Sequence, residues 1–185
     1  MIVLASSSPR RQQLLRNAGI SFVAQAADIS EAARAGEAPA ALAERLAREK
    51  AEAVFRQRPD DLIVGADTIV VVDGQILGKP RDASDATRML RLLSGRSHQV
   101  FTGICVMGPG FEEVRSESTL VTVCGLTDQD IHSYVTTGEP MDKAGAYAIQ
   151  GFASRWISRV EGDYFNVVGL PVSLVYGILR EHGAI

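Results

Sequence analysis

The first nineteen residues, MIVLASSSPRRQQLLRNAG, constrain the fold more than any other stretch. An apolar run, "MIVLA", passes through small polar residues into a segment with helical spacing. Pro9 suits a first helical position, Ser8 is a candidate N-cap, and Leu14, Leu15 and Ala18 form a stripe that ends at Gly19. A short apolar strand feeding directly into a helix is the opening of an α/β chain, because the strand needs covering and the helix supplies one apolar face.

The alternation continues. A second helix is expected from about Pro39 to Gln57, with Leu42, Leu46, Ala53 and Val54 on one side. "DLIVGADTIVVVDGQIL" is β-rich, and Asp73-Gly74 sits between its apolar runs as a hairpin turn. "DASDATRMLRLLSG" reads as a helix capped by Asp82 or Ser84 and closed by Gly95. "HQVFTGICVMG" and "EVRSESTLVTVCGL" read as two long strands joined at "GPGF". Thr127 and Asp130 make a relative of the capping box, opening a helix that stops near Gly138, and a last helix runs from Val172 to His182. No repeat or linker-like stretch interrupts the pattern. The expectation is one domain over residues 1–185, an α/β fold with a mixed, twisted sheet flanked by helices and a cleft at one end of the sheet.

Composition narrows the function. A net charge of −3 does not advertise binding to nucleic acid or an anionic membrane, so any basic groups that matter must act locally. No run approaches the roughly 18 apolar residues of a spanning helix. "IVLA" is too short for a signal peptide, and its arginines lie on the wrong side. Cys105 and Cys124, both in strand-like stretches, are expected as two buried thiols of a cytoplasmic protein. His98, His132 and His182 show no metal-ligand spacing.

Four constellations carry candidate chemistry. Around "SSSPRR" a helix N-terminus presents backbone N–H groups and the positive end of its dipole, a setting that favours phosphate. Arg10 and Arg11 are badly placed there unless they face a polyanion; two solvated arginines satisfy the pattern equally. No Walker A spacing occurs. In "GADTIVVVDGQILGKP", Asp67 ends an apolar strand and Lys79 lies beyond the hairpin. A carboxylate that holds a divalent cation and a lysine that neutralises charge suit phosphate chemistry, although a turn aspartate and a surface lysine would look the same. Lys50 falls on or beside the apolar stripe of the second helix, where it either snorkels or points into a polar cleft. "DKAGAYAIQG" surrounds Lys143, Tyr147 and Gln150 with small residues, as a base-binding turn or a tight core turn would.

Taken together, "LASSSPRRQQLL", "LAREKA", "GADTIV", "GKPRDASDA", "LSGRSHQVFTG", "DKAGAYAIQG" and "VVGLP" resemble, in order and over nearly the whole chain, the Maf family of nucleoside-triphosphate pyrophosphatases, also described as septum-formation inhibitors. "DKAGAYAIQG" is similar to the dTTP/UTP branch rather than to the sister branch that acts on 7-methyl-GTP. The resemblance implies an ITPase/Maf-like fold and a hydrolase that cuts dTTP and UTP to a nucleoside monophosphate and pyrophosphate. It implies Asp67 as the catalytic proton acceptor and Arg10, Thr68 and Gln150 as specificity positions. Ser6, Arg11, Lys50 and Lys79 would bind phosphate, and Glu31 and Asp67 would hold Mg²⁺ or Mn²⁺. The flanks of Glu31, "DISEAAR", depart from the acidic pair usual in the family. A cytoplasmic homodimer without nucleic-acid or membrane partners is also implied, with a role in nucleotide-pool house-cleaning and division arrest. The rival readings are a 7-methyl-GTP or broad-specificity pyrophosphatase on the same scaffold, and a nucleotide-sensing division regulator.

Overall fold

The computed structural model describes residues 1–185. In chain order it contains β1 (Ile2–Leu4), α1 (Pro9–Asn17), β2 (Val23–Ala24), α2 (Pro39–Phe55), β3 (Leu62–Val72), β4 (Gln75–Leu77), α3 (Ala83–Leu93), β5 (Ser97–Gly108), β6 (Phe111–Val123), α4 (Asp128–Thr136), β7 (Ile157–Glu161), α5 (Tyr164–Val168) and α6 (Val172–Glu181). The strands form one seven-stranded sheet in the order β2-β1-β3-β5-β6-β7, with β4 paired to β3. Pairing is parallel for β1 with β2 and with β3, and antiparallel for β3 with β4 and for β6 with β7, so the sheet is mixed as expected. No helix is long and apolar enough to cross a membrane.

The chain packs as two compact units, and β3, β5 and β6 contribute residues to both. One unit comprises residues 1–68, 102–117 and 169–185. Its centre is the fully buried set Val3, Ala5, Ala47, Ala51 and Ile63 with Val54 and Cys105. Here β1 is the wholly apolar strand typical of parallel sheet interiors, and burying each large aliphatic of α2, such as Leu42 or Leu46, contributes roughly 1.5–3 kcal/mol. Helix α1 starts at Pro9 and is closed just beyond its C-cap Ala18 by Gly19, whose φ of +71° lets the chain reverse while the N–H of Ile20 bonds the carbonyl of Leu15. Ser8 makes no side-chain cap; its own N–H is instead accepted by Ser6 Oγ at 3.2 Å.

The other unit comprises residues 69–101 and 118–168. The hairpin β3–β4 turns at Asp73 and Gly74, both at positive φ, the geometry that a two-residue Asp-Gly turn requires. Helix α3 is capped by Asp82, whose carboxylate accepts from the N–H of Asp85 at 2.8 Å. Helix α4 opens with the full reciprocal box of Thr127 and Asp130. One expectation needs correction, and one strand lies outside what the sequence signals predict. Cys105 is buried but Cys124 is exposed, because β6 ends at Val123 and the thiol lies beyond the ladder. Strand β7 gave no periodic signal: its residues are mostly exposed, and it is a strand because β6 offers an edge to pair with.

Candidate functional site

Two glycines decide where Lys50 goes. A Cβ on Gly65 of β3 would lie 2.1 Å from the carbonyl oxygen of Ala47, and one on Gly103 of β5 would lie 2.2 Å from that of Ala43. The backbone of α2 therefore rests directly on the sheet, with Ala43, Ala47 and Ala51 as the contact stripe. Lys50 is on that stripe, three residues after Ala47. Asp67 does not end the strand as expected: β3 continues through it to Val72, because the apolar run after it pairs with β4. In a strand, residues two apart share a face, so Asp67 projects from the same face of β3 as Gly65, towards α2. Lysine and aspartate must meet.

They do so closely. Lys50 Nζ donates to Asp67 Oδ1 at 2.6 Å, and the same nitrogen lies 2.6 Å from Glu31 Oε1. The Lys50 and Asp67 side chains are 9% and 10% exposed, whereas Glu31 is 46% exposed. Lys50 is thus neither a snorkelling residue nor a surface one. It is a buried ammonium that neutralises two carboxylates from different parts of the chain.

Arg11 is built into the protein as well. Its Nε donates to the carbonyl of Gly169 at 2.7 Å, Nη2 to Thr68 Oγ1 at 3.0 Å, and Nη1 to Ser6 Oγ at 3.3 Å. Thr68 Oγ1 also lies 2.9 Å from Thr102 Oγ1. Burial pushes the Arg11 pKa down from its ordinary value, and the charge of Asp67 works against that shift. Of the two arginines beside Pro9, then, Arg11 tethers the first turn of α1 to the middle of β3 and to the loop before α6. Arg10 is part-buried in the same turn. Gly169, with φ of +127°, was not singled out by sequence reasoning; the signal was the lone glycine in "VVGLP".

One unit therefore gathers Ser6, Arg10, Arg11, Glu31, Lys50, Asp67 and Thr68. The other carries Lys79, exposed after β4, and Gln150, exposed on the turn closed by the Gly151 N–H to Ala148 carbonyl bond at 3.0 Å. In "DKAGAYAIQG" the core-turn reading holds for Lys143, whose Nζ bonds the Glu139 carbonyl and Asp142 Oδ1, both at 2.6 Å, and for the buried Tyr147.

Glu31 and Asp67 suit a divalent cation. Both offer hard anionic oxygens, and both already converge on one cationic atom. No group of three His, Cys, Asp or Glu side chains assembles. Two carboxylates are the number by which Mg²⁺ is commonly held, with substrate phosphates and waters completing its shell.

Comparison with known proteins places this geometry. A family profile described as "Maf-like protein" matches residues 1–182. The chain is 53% identical over 184 residues to a protein of Koribacter versatilis named dTTP/UTP pyrophosphatase, covering 100% of this chain and 95% of that one. It is 51% identical over 186 residues to a protein of the same name from Geobacter sulfurreducens, covering 100% and 97%. Among solved structures it is similar to the Ham1 protein of Staphylococcus aureus, with a TM-score of 0.53 at 15% identity and 98% of each chain covered, a likeness of fold alone.

Proposed function

The chain belongs to the Maf family, and from that premise we propose that its 185 residues act as one nucleoside-triphosphate pyrophosphatase domain hydrolysing dTTP and UTP between the α and β phosphates. The observation that carries this reading is Lys50 held between Asp67 and Glu31 in a mostly buried setting. Full-length identity to proteins named dTTP/UTP pyrophosphatase supports the choice of substrate.

Mechanistically, Asp67 is the proton acceptor. With Oδ1 engaged by Lys50, Oδ2 is the oxygen that takes the proton from a water attacking the α-phosphorus. The bond from that phosphorus to the α–β bridging oxygen breaks, giving a nucleoside monophosphate and pyrophosphate. Lys50 and Lys79 neutralise charge on the triphosphate, and no covalent intermediate is required. Arg11 and Ser6 act through their tether to Thr68, which holds the first turn of α1 and its N–H groups in place. Glu31 and Asp67 hold Mg²⁺ or Mn²⁺; when bound, the ion supplies Lewis-acid polarisation of phosphate oxygens. Gln150 reads the base, offering a donor to the 4-keto oxygen and an acceptor to N3–H of uracil or thymine. Arg10 and Thr68 complete the specificity set. Cytosine inverts both groups and leaves the amide mispaired, at a cost of about 1–3 kcal/mol per buried group. We further assign the activity to the cytoplasm, to a homodimer and to nucleotide-pool house-cleaning linked to division arrest.

A panel of nucleoside triphosphates with pyrophosphate detection, with and without Mg²⁺ or Mn²⁺, tests this reading. UTP and dTTP should be cut with at least roughly tenfold higher kcat/KM than CTP or purine triphosphates. Equal rates on all four, or preference for 7-methyl-GTP, would overturn the pyrimidine assignment. Absence of pyrophosphate release with every substrate would overturn the whole.

A further inference from the structure

We propose that His98 and Tyr147 form a buried strut that positions the turn carrying Gln150, making the pair a specificity-positioning element of this protein. The proposal rests on the function above only for the role of Gln150; the strut itself is a matter of packing.

His98, the second residue of β5, is 2% exposed, and Tyr147 is 8% exposed. His98 Nε2 and the Tyr147 hydroxyl lie 2.7 Å apart, with the rings edge-on at 83°. The other ring nitrogen, Nδ1, is buried without a partner. Either tautomer of the neutral ring makes this one hydrogen bond, with Nε2 as the donor or as the acceptor of the tyrosine O–H. Burial also holds the His98 pKa down to about 4, so the ring is neutral and the strut keeps one charge state at neutral pH.

What the strut holds is a segment that would not keep its shape by itself. Ala146, immediately before Tyr147, sits at φ of +60°, and Gly145 sits at +70°, where a Cβ would crowd Val70 at 3.0 Å. A non-glycine residue in the left-handed region persists only where its surroundings fix it. Three anchors do so, each from a different element. The Gly145 N–H bonds the Gly78 carbonyl at 3.1 Å, beyond β4; the Ala148 N–H bonds the Tyr134 hydroxyl at 3.0 Å, on α4; and the Tyr147 hydroxyl bonds His98 on β5. Tyr147 is the middle anchor, one residue past the strain and three before Gln150. Gln150 is exposed at the tip of the turn, so its amide is placed only as well as its backbone is. An amide that must distinguish a keto group from an amine cannot tolerate a turn that wanders by an ångström.

The test uses the full-length protein and two readouts, hydrogen exchange of backbone amides and kinetics with UTP and CTP. In Tyr147→Phe the ring stays and the strut is cut. Exchange at Gly145, Ala148 and Gly151 should accelerate by about tenfold while α3 stays protected. The UTP-over-CTP ratio should fall at least about threefold, through a raised KM for UTP with kcat within about twofold. His98→Gln, whose amide can still donate to Tyr147, should keep most of both properties, and His98→Ala should lose them. Acceleration spread evenly over the unit, no acceleration, or unchanged selectivity despite local acceleration would each overturn the proposal. If Tyr147→Phe does not fold, the comparison of His98→Gln with His98→Ala decides by the same criteria. A parent protein with no UTP preference would sink the function proposed above. Exchange in the variants would still separate a strut from ordinary packing.

Discussion

Lys50 reaches from α2 to the middle of β3 and places its ammonium 2.6 Å from Asp67, with Glu31 at the same distance on another side. A charge so placed is costly to remove. Deleting one partner of a buried pair leaves the other without compensation, typically at a cost of about 3–5 kcal/mol.

Lys50→Met should therefore lower Tm by about 10 °C in the absence of divalent cation. Millimolar Mn²⁺ should raise the Tm of the variant more than that of the parent, because the ion replaces a positive charge that the parent already has. Thermal unfolding with and without Mn²⁺ measures both. A variant as stable as the parent in metal-free buffer would mean that Asp67 is solvated after all.

Asp67→Asn keeps the shape and an oxygen for Lys50 but cannot take a proton. Turnover should drop roughly 10²-fold or more, the scale of a lost general base, while nucleotide affinity changes by only a few-fold. Steady-state kinetics and calorimetric titration read the two quantities. Retention of a tenth of the parental rate would remove Asp67 from the chemistry.

Arg11 donates to three acceptors in a planar fork, Gly169 carbonyl, Thr68 and Ser6. Arg11→Lys preserves the charge but not the fork, so it should recover less than half of the stability that Arg11→Ala loses, about 2–3 kcal/mol by urea unfolding. Were Arg11 only a charge aimed at phosphate, both variants would unfold at the parental urea concentration.

Acid stability should carry the signature of His98. Its folded pKa is held at about 4 by burial against an ordinary value of 6.5. Between those values the unfolded chain binds a proton that the folded chain refuses, so stability falls as pH drops from about 6.5 to about 4 and is unaffected by this group above that window. The full loss is about 3 kcal/mol. Urea unfolding at pH 7 and pH 4.5 should show a smaller difference for His98→Gln than for the parent, with the carboxylates common to both. Identical differences would mean that His98 takes up its proton as readily in the folded chain as in the unfolded one.

The sequence by itself determined whatever depends on a few neighbouring residues. Pro9 and Gly19 bound α1, Asp73 and Gly74 turn the hairpin, Asp82 caps α3, and Thr127 with Asp130 opens α4. Each is a local preference of φ, ψ or one hydrogen bond, legible wherever those residues stand together. The residue types of the candidate site were equally plain, and so was the family pattern they make. What a side chain faces was not. Periodicity left Lys50 on an apolar stripe with two possible directions, and the choice was made by Gly65 and Gly103, which let the α2 backbone settle on the sheet and bring Lys50 to Asp67. Arg11 turned inward because Gly169, 158 residues later, supplies a carbonyl for its Nε. Strand β7 formed because β6 had an edge to pair, and Cys124 stayed exposed because that strand ended one residue too soon. Contacts between distant segments depend on which surfaces fit once the chain has collapsed, and no short window of sequence contains both partners.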